Sequence, residues 1–591
     1  MPKTREQVNE KHKWDMEAMY KNVTDWEADF AWLSAKKDEV KSLKGTLGQS
    51  AESLYRCLSE RDELLMKAEN VYVYAHLKHD EDTANAEYQA LSSRSASLLT
   101  DVYADISFIE PEILEMDEAK LKNYLENHAP LGIYKHYFDG ILRLKEHTLS
   151  DEMEEVLAKV SEIGQAASKI FSMLNNADLK FGVIEDEDGN DKELTHGSYL
   201  SFMESRDRGV RKAAFTSLYK AYIDHKNTLA ESYAASVRND VFFATQRKYE
   251  SCLDASLKGN NIPVSVYHNL IKAVNDNLPS LHKYMDIRKK ALGVDELHMY
   301  DIYVPLVAEV DNHIDYEKAG ETIMKSLAPM GNEYLDALKA GLESKWVDIY
   351  ENENKKSGAY SWGSYLSHPY ILMNYDNKVN DMFTLTHEIG HSMQSHFTRK
   401  SQPFIYGDYT IFVAEVASTV NEALLMDYLL KTEKEATMRK YLINYYIEQF
   451  RGTVFRQTMF AEFELKTHEM AEAGEALTSD VMNKIYRELN EKYFGPNVVL
   501  DDEIAYEWSR IPHFYRAFYV YQYATGFAAA VALSKKILDG DVDGYLAFLK
   551  SGSSKYPIEQ LKLADIDMSE PDAVNMALRL FGELVDEFEG L

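Results

Sequence analysis

A mostly helical fold is predicted by three features of this 591-residue chain. Only 13 prolines and 27 glycines interrupt it. Apolar residues recur at helical spacing over long runs, and strand-like segments are confined to two short patches. Residues 1–180 read as helices and helical hairpins. Leu54, Leu64, Leu65 and Ala68 mark one apolar face, and Leu157, Val160, Ile163 and Ala167 another. Residues 181–184 and 193–195 then flank Asp186-Glu187-Asp188-Gly189-Asn190, the pattern of a β-hairpin with an Asp-Gly turn. This hairpin marks a boundary between an N-terminal helical region over 1–200 and a second region over 201–591. The second patch, residues 346–350, 358–362 and 370–373, predicts a small β-sheet immediately before a helix. That helix has Asn380-Asp381 as its cap and Met382, Phe383, Leu385, Ile389 and Met393 as its apolar residues. Residues 412–422 form a further apolar helical run. Residues 517–534 carry no charge, yet Tyr519, Tyr521, Gln522, Tyr523, Thr525 and Gly526 make them too polar for a membrane span, so a buried helix is expected.

Charge and cysteine content narrow the function classes. With 97 acidic against 65 basic residues the formal charge is −32, which argues against nucleic acid or an anionic membrane as partner and favours neutral or basic substrates. Cys57 and Cys252 stand in unrelated contexts, so neither a disulfide framework nor a cysteine zinc site is indicated. The N-terminal residues are charged and lack an apolar core, so no signal peptide is visible and the cytoplasm is the expected compartment.

The chemistry concentrates at His387-Glu388-Ile389-Gly390-His391. On a helix, positions i and i+4 lie one above the other, so both imidazoles can reach one metal ion. Glu388 leans to the same side, where a carboxylate can take a proton from an attacking water. An HExxH arises by chance in roughly one such chain in twenty, so its context must decide. A third histidine at HExxHxxGxxH spacing is absent, because Phe397 stands there. His396 is about 180° round the helix from His387. The remaining design takes a carboxylate from a following helix. Glu415 and Glu422, seven residues apart and so within about 20° of each other on one helix face, are the candidates. Two carboxylates in an apolar run are costly unless a cation or donors meet them.

Taken with residues 357–361, 369–375, 412–422 and 511–515, the HEIGHSM run resembles the thimet-oligopeptidase-like zinc metallopeptidases, and most closely their bacterial oligoendopeptidase F branch. One departure is Gln394, where family members often have a histidine that is not a metal ligand. The resemblance implies two helical halves around a deep substrate channel. It also implies one zinc ion per chain on His387, His391 and Glu415, with Glu388 as general base. Gly358, Ala359 and Tyr360 lie where the family's substrate-binding strand is found, and small residues there let another backbone approach. The aromatic segment 510–523 would supply the oxyanion donors, with His513 and Tyr521 as first choices and Tyr515 and Tyr519 as further substrate-binding candidates.

The expected activity is therefore endopeptidase cleavage of short oligopeptides by a monomer. A zinc carboxypeptidase is the alternative enzyme, with Arg510 or Arg516 fixing the terminal carboxylate. A helical peptide-binding protein with a structural zinc is the non-enzymatic alternative. Structural sites usually close with four protein ligands, often cysteines.

Overall fold

The structure is a computed structural model that describes residues 3–307 and 313–591. Helix accounts for 72% of it, which bears out a mostly-α fold with only small sheets. Among the described residues the strands are β1 (Val183–Glu185), β2 (Asp191–Glu193), β3 (Leu297–His298), β4 (Val347–Asp348), β5 (Tyr360–Trp362), β6 (Tyr370–Leu372) and β7 (Val498–Val499). Two compact units can be distinguished, each assembled from three stretches of chain, so they partition the sequence differently from a single cut at residue 200.

The first unit comprises residues 1–145, 311–429 and 533–566. Helices Val23–Lys41, Ala51–Glu81 and Ala86–Ile106 pack on one another in it. Each starts where a polar side chain caps free backbone amides: Asn22 accepts from Asp25 N, Ser50 from Ser53 N, and Asn85 from Glu87 N and Tyr88 N. Leu54, Leu64 and Ala68 are buried as their spacing predicts. Trp26 is fully buried without an orphan donor, because its indole N–H donates to Val71 O at 2.9 Å.

The small sheet is ordered β4-β6-β5, with β4 parallel and β5 antiparallel to β6. At its β4 side, Asp15 N donates to Lys345 O at 3.1 Å and Ile349 N to His12 O at 3.0 Å, so the N-terminal segment covers that edge. β5 forms the opposite edge. Behind the sheet, buried Asp348 is met by Lys355 at 2.7 Å and by Arg5, which hold its carboxyl below the usual range despite burial. Helix Val379–Ser401 packs on β5 and β6 and, further along, on helix Asp543–Ser551.

The second unit comprises residues 146–310, 430–532 and 567–591. Its helices carry the antiparallel hairpin β1-β2 and the parallel pair β3-β7. The hairpin pairs two residues nearer its turn than the sequence suggests, because Asp186 accepts from Asp188 N and Asn190 N and Gly189 adopts φ +79°. Ile163 is a second difference. It is 73% exposed, although Leu157 and Ala167 are buried. The four residues do not share one helix: Leu157, Val160 and Ile163 lie in a helix that ends at Gly164, and Ala167 lies in the next, which begins at Ala166.

The core of this unit contains a paired charge cluster. Glu507, 2% exposed, accepts from Arg456 at 2.6 Å, Arg510 at 2.9 Å and the Tyr486 hydroxyl at 2.6 Å. Burial alone would raise its pKa, but the two arginines reverse this and pull it down to about 2. A carboxylate depressed in the folded state stabilises fully above its unfolded pKa, about 4.3, and loses that contribution as pH falls toward 2. Glu507→Gln is expected to cost about 3–5 kcal/mol, since it strands buried arginines. Urea melts of the variant and parent, repeated between pH 7 and pH 3, measure both effects. A variant as stable as the parent at pH 7 would contradict the assignment.

Uncharged residues 517–534 do fall largely in a buried helix, Tyr521–Leu538. No helix among the described residues is long and apolar enough to cross a membrane.

Candidate metal centre

Helix Val379–Ser401 is capped two residues earlier than the predicted Asn380. Lys378 is the extended N-cap residue, and Asp381, one turn inside, accepts the amides of Lys378 at 3.0 Å and Asp376 at 2.9 Å. From this start, His387 and His391 fall on one face with ring centroids 4.8 Å apart, and their Nε2 atoms converge to 3.1 Å. Glu415 comes from the succeeding helix, Ile411–Thr432. Its Oε2 lies 3.3 Å from His387 Nε2 and 3.4 Å from His391 Nε2. The three ligand atoms thus form a nearly equilateral triangle. Tetrahedral zinc with bonds of about 2.0–2.1 Å separates its ligands by about 3.3 Å, so the donor set fits that ion. Among the described residues this is the one group of three or more such donors that could hold a metal.

The two helices meet with their backbones almost in contact. A Cβ on Gly390 would lie 2.4 Å from Ser418 Cα and 2.6 Å from Ala417 O. The glycine between the two histidines is therefore what lets the succeeding helix come near enough for Glu415 to reach them. Asn421 braces the same crossing: it is fully buried, accepts from the Tyr334 hydroxyl at 3.0 Å, and approaches Thr386 O at 3.4 Å. Neither Gly390 nor Asn421 was picked out from the sequence. The signal available was a glycine inside an otherwise uninterrupted helical run.

Glu422 has a different place from Glu415. Its Oε1 accepts from His387 Nδ1 at 2.5 Å, which fixes the ring so that Nε2 is the nitrogen facing the other two donors. Burial disfavours the charged imidazole, but hydrogen bonds to Glu415 and Glu422 outweigh it and push the His387 pKa up to about 10. The same two histidines hold the Glu415 carboxyl well below its ordinary value. Glu422→Gln is expected to weaken divalent-metal binding by about 10–100-fold, measured by competition with a chelator. Unchanged affinity would reduce Glu422 to a packing role.

Glu388 is 7% exposed. Burial raises its pKa, with Glu415 adding to the rise, while His387, His391 and the Ser361 backbone amide oppose it. The carboxyl is thereby tied to both the donor triangle and β5. Gln394 is buried, and His396 packs against Trp346 at 5.7 Å.

Of the three residues expected on the substrate strand, Tyr360 opens β5, whereas Gly358 and Ala359 precede it. Gly358 has φ +85°, and its carbonyl accepts from Asn374 Nδ2 at 2.8 Å. The Tyr360 hydroxyl donates to buried Asp80 at 2.7 Å. Among the described residues no backbone pairs with the outer edge of β5.

The aromatic segment of the second unit divides its residues. His513 stacks on Tyr519 with centroids 6.1 Å apart, and Tyr523 stands edge-on to both at 6.0 and 5.5 Å. The Tyr523 hydroxyl is 3.5 Å from His513 Nε2. Partial burial and the nearby Arg516 lower the His513 pKa, which favours the neutral ring. Tyr515 instead stacks on Phe171 at 4.4 Å, and Tyr521 is 2% exposed against Tyr267 at 5.1 Å. The structure groups Tyr523, not Tyr521, with His513.

Residues 201–580 match Peptidase family M3, and residues 112–181 match Oligopeptidase F. The chain is 47% identical over 590 residues to Oligopeptidase PepF of Bacillus subtilis (strain 168), covering 99% of this chain and 88% of that protein. The crystal structure of oligoendopeptidase-F from Enterococcus faecium is 40% identical and superposes with a TM-score of 0.74, covering 96% of this chain and 99% of that one. A Chlamydophila abortus structure at 37% identity reaches a TM-score of 0.95 over 100% of both chains.

Proposed function

The chain belongs to peptidase family M3, among its oligoendopeptidase F members, and from that premise we propose that it is a zinc endopeptidase cleaving internal bonds of short oligopeptides. The observation that carries the proposal is the donor triangle of His387, His391 and Glu415 with edges of 3.1, 3.3 and 3.4 Å. Zinc held there would polarise a water molecule and the substrate carbonyl, lowering the water's pKa to about 7. Glu388 takes the proton from the attacking water and returns it to the leaving amine, a task suited to a buried carboxyl with a raised pKa. His387 is oriented for its role by Glu422. An extended peptide adds to the free edge of β5 near Tyr360, with Gly358 and Ala359 leaving room for its backbone. Residues 201–591 are proposed as the catalytic region, acting as a monomer in the cytoplasm with one zinc per chain.

The proposal gives His513 the role of donor to the carbonyl oxygen of the substrate, with Tyr523 and Tyr519 beside it in preference to Tyr521 and Tyr515. Tyr523→Phe and His513→Ala are each expected to lower kcat on the order of 10²–10³-fold with little change in metal content. A comparable loss in Tyr521→Phe, with Tyr523→Phe unaffected, would return the role to Tyr521.

The carboxypeptidase alternative loses one of its anchors. Arg510 is bound to Glu507 and lies over the rings of Tyr199 and Tyr219. A structural zinc is disfavoured by the donor set, which among the described residues offers three protein ligands where closed sites have four. The deciding experiment combines zinc stoichiometry with turnover of a quenched peptide and mass analysis of its fragments. Internal cleavage is expected, and stable folded proteins should resist because few expose an extended segment without local unfolding. Release of single C-terminal residues would favour the carboxypeptidase, and metal without turnover the binding protein.

A further inference from the structure

Beside the last residue of β5 lies a cavity of about 210 Å³, contained within the first unit. Five aromatic residues line it, four of them in two edge-to-face pairs: Tyr72 with Trp362 at 6.0 Å, and Tyr365 with Phe404 at 5.5 Å; the fifth is Tyr103. The charged residues lining it are both acidic, Glu69 and Asp408. Glu69 leaves the middle of helix Ala51–Glu81, and its Oε2 accepts the Tyr365 amide at 3.1 Å. Burial raises its pKa, Asp408 adds to the rise, and Arg399 opposes it. The Tyr103 phenol at the rim is raised by burial and by the same two carboxylates, so all three groups share one space. Arg399 does not line the cavity and donates instead to Gly363 O at 3.1 Å. The wall is also shaped by a bare backbone position: a Cβ on Gly407 would lie 2.5 Å from the Tyr365 ring.

We propose that this cavity is the subsite for a cationic side chain, lysine or arginine, of the peptide substrate. This rests on the reading of β5 as the strand that holds the peptide. Aromatic faces and carboxylates both attract a cation, and together they repel an anion. An ammonium or guanidinium entering the cavity would stabilise the ionised form of Glu69, which burial and Asp408 disfavour. The size also fits, since whole drug-sized ligands need about 300–1,000 Å³, and 210 Å³ accommodates a single long side chain. Register gives the direction. Ser361 faces the HExxH helix, where its hydroxyl is 2.8 Å from that of Ser392, whereas Trp362 turns toward Tyr72. Side chains of a peptide paired to β5 alternate likewise, so every second one points to the face that holds the cavity. The formal charge of −32 draws basic peptides toward the protein in the same sense.

The test uses the full-length, zinc-loaded enzyme and pairs of quenched peptides in which lysine or its neutral counterpart norleucine is placed at each position around the cleavage site. At one position the ratio of kcat/KM for lysine over norleucine is expected to reach about tenfold. Glu69→Gln and Asp408→Asn should each reduce that ratio several-fold, and the double variant should bring it near one. Glutamine keeps an acceptor for the Tyr365 amide, and Asp408 is exposed, so a correctly folded variant is available even if one of the two misfolds. Turnover without a lysine preference at any position overturns the inference, as does a preference that survives in Asp408→Asn and in the double variant. No turnover of any peptide overturns the peptidase reading itself, and this inference with it.

Discussion

Glu388→Gln is expected to retain its metal and its peptide affinity while losing about 10²–10⁴-fold in kcat. The substitution is nearly isosteric and keeps an oxygen for the Ser361 amide, so the contact between the HExxH helix and β5 survives. In the proposed mechanism, what disappears is the capacity to hold a proton between its removal from water and its delivery to the leaving amine. His387 and His391 have their Nε2 atoms in the donor triangle, so neither is free to substitute. Metal analysis together with kcat and KM on one peptide separates the outcomes. Loss of metal would indicate a structural effect on the neighbouring histidines. Ordinary turnover with full metal would require a different base.

Gly390→Ala should abolish high-affinity metal binding although it changes no donor atom. The added methyl would meet Ser418 Cα at 2.4 Å and Ala417 O at 2.6 Å, backbone atoms that no rotamer change can move. Restoring an ordinary contact of 3.4 Å displaces one helix by about 1 Å. Glu415 moves with its helix, which opens two edges of the triangle at once, and displacements near 1 Å at such sites typically cost on the order of 10²-fold in function. Glu415→Ala should lose the metal by the direct route, and the two variants should look alike in metal content. They differ in stability, because overpacking adds about 1–3 kcal/mol of strain that ligand removal does not. An alanine variant with native zinc affinity would show that the helix crossing is looser than its geometry implies.

Much of this site is legible in the sequence because its first part is local. His387 and His391 converge through helical periodicity alone, and the strand-like patches at 346–350, 358–362 and 370–373 do give β4, β5 and β6. The second part depends on how separate elements cross. Glu415 and Glu422 lie seven residues apart on one helix face, so spacing alone leaves both as possible ligands and only the family resemblance singles out Glu415. The crossing at Gly390 separates them, placing Glu415 against two Nε2 atoms and Glu422 against the far nitrogen of His387.

The aromatic segment was the least legible. Phe518 adopts φ +54°, unusual outside glycine, and its amide is held by the buried carboxyl of Glu464 at 3.0 Å. The helix starts only at Tyr521, after that turn. A residue in the left-handed region redirects the chain, so side-chain directions extrapolated through 513–523 fail there, turning Tyr521 into the core and Tyr523 toward His513. Sequence by itself thus determined the helical class, the paired histidines with Glu388 between them, and the small sheet, since these follow from spacing along one element. Tertiary structure decided how close Glu415 comes to the two Nε2 atoms, where Glu422 goes and which tyrosine joins His513, because these turn on close backbone approaches and one strained dihedral that no local periodicity encodes.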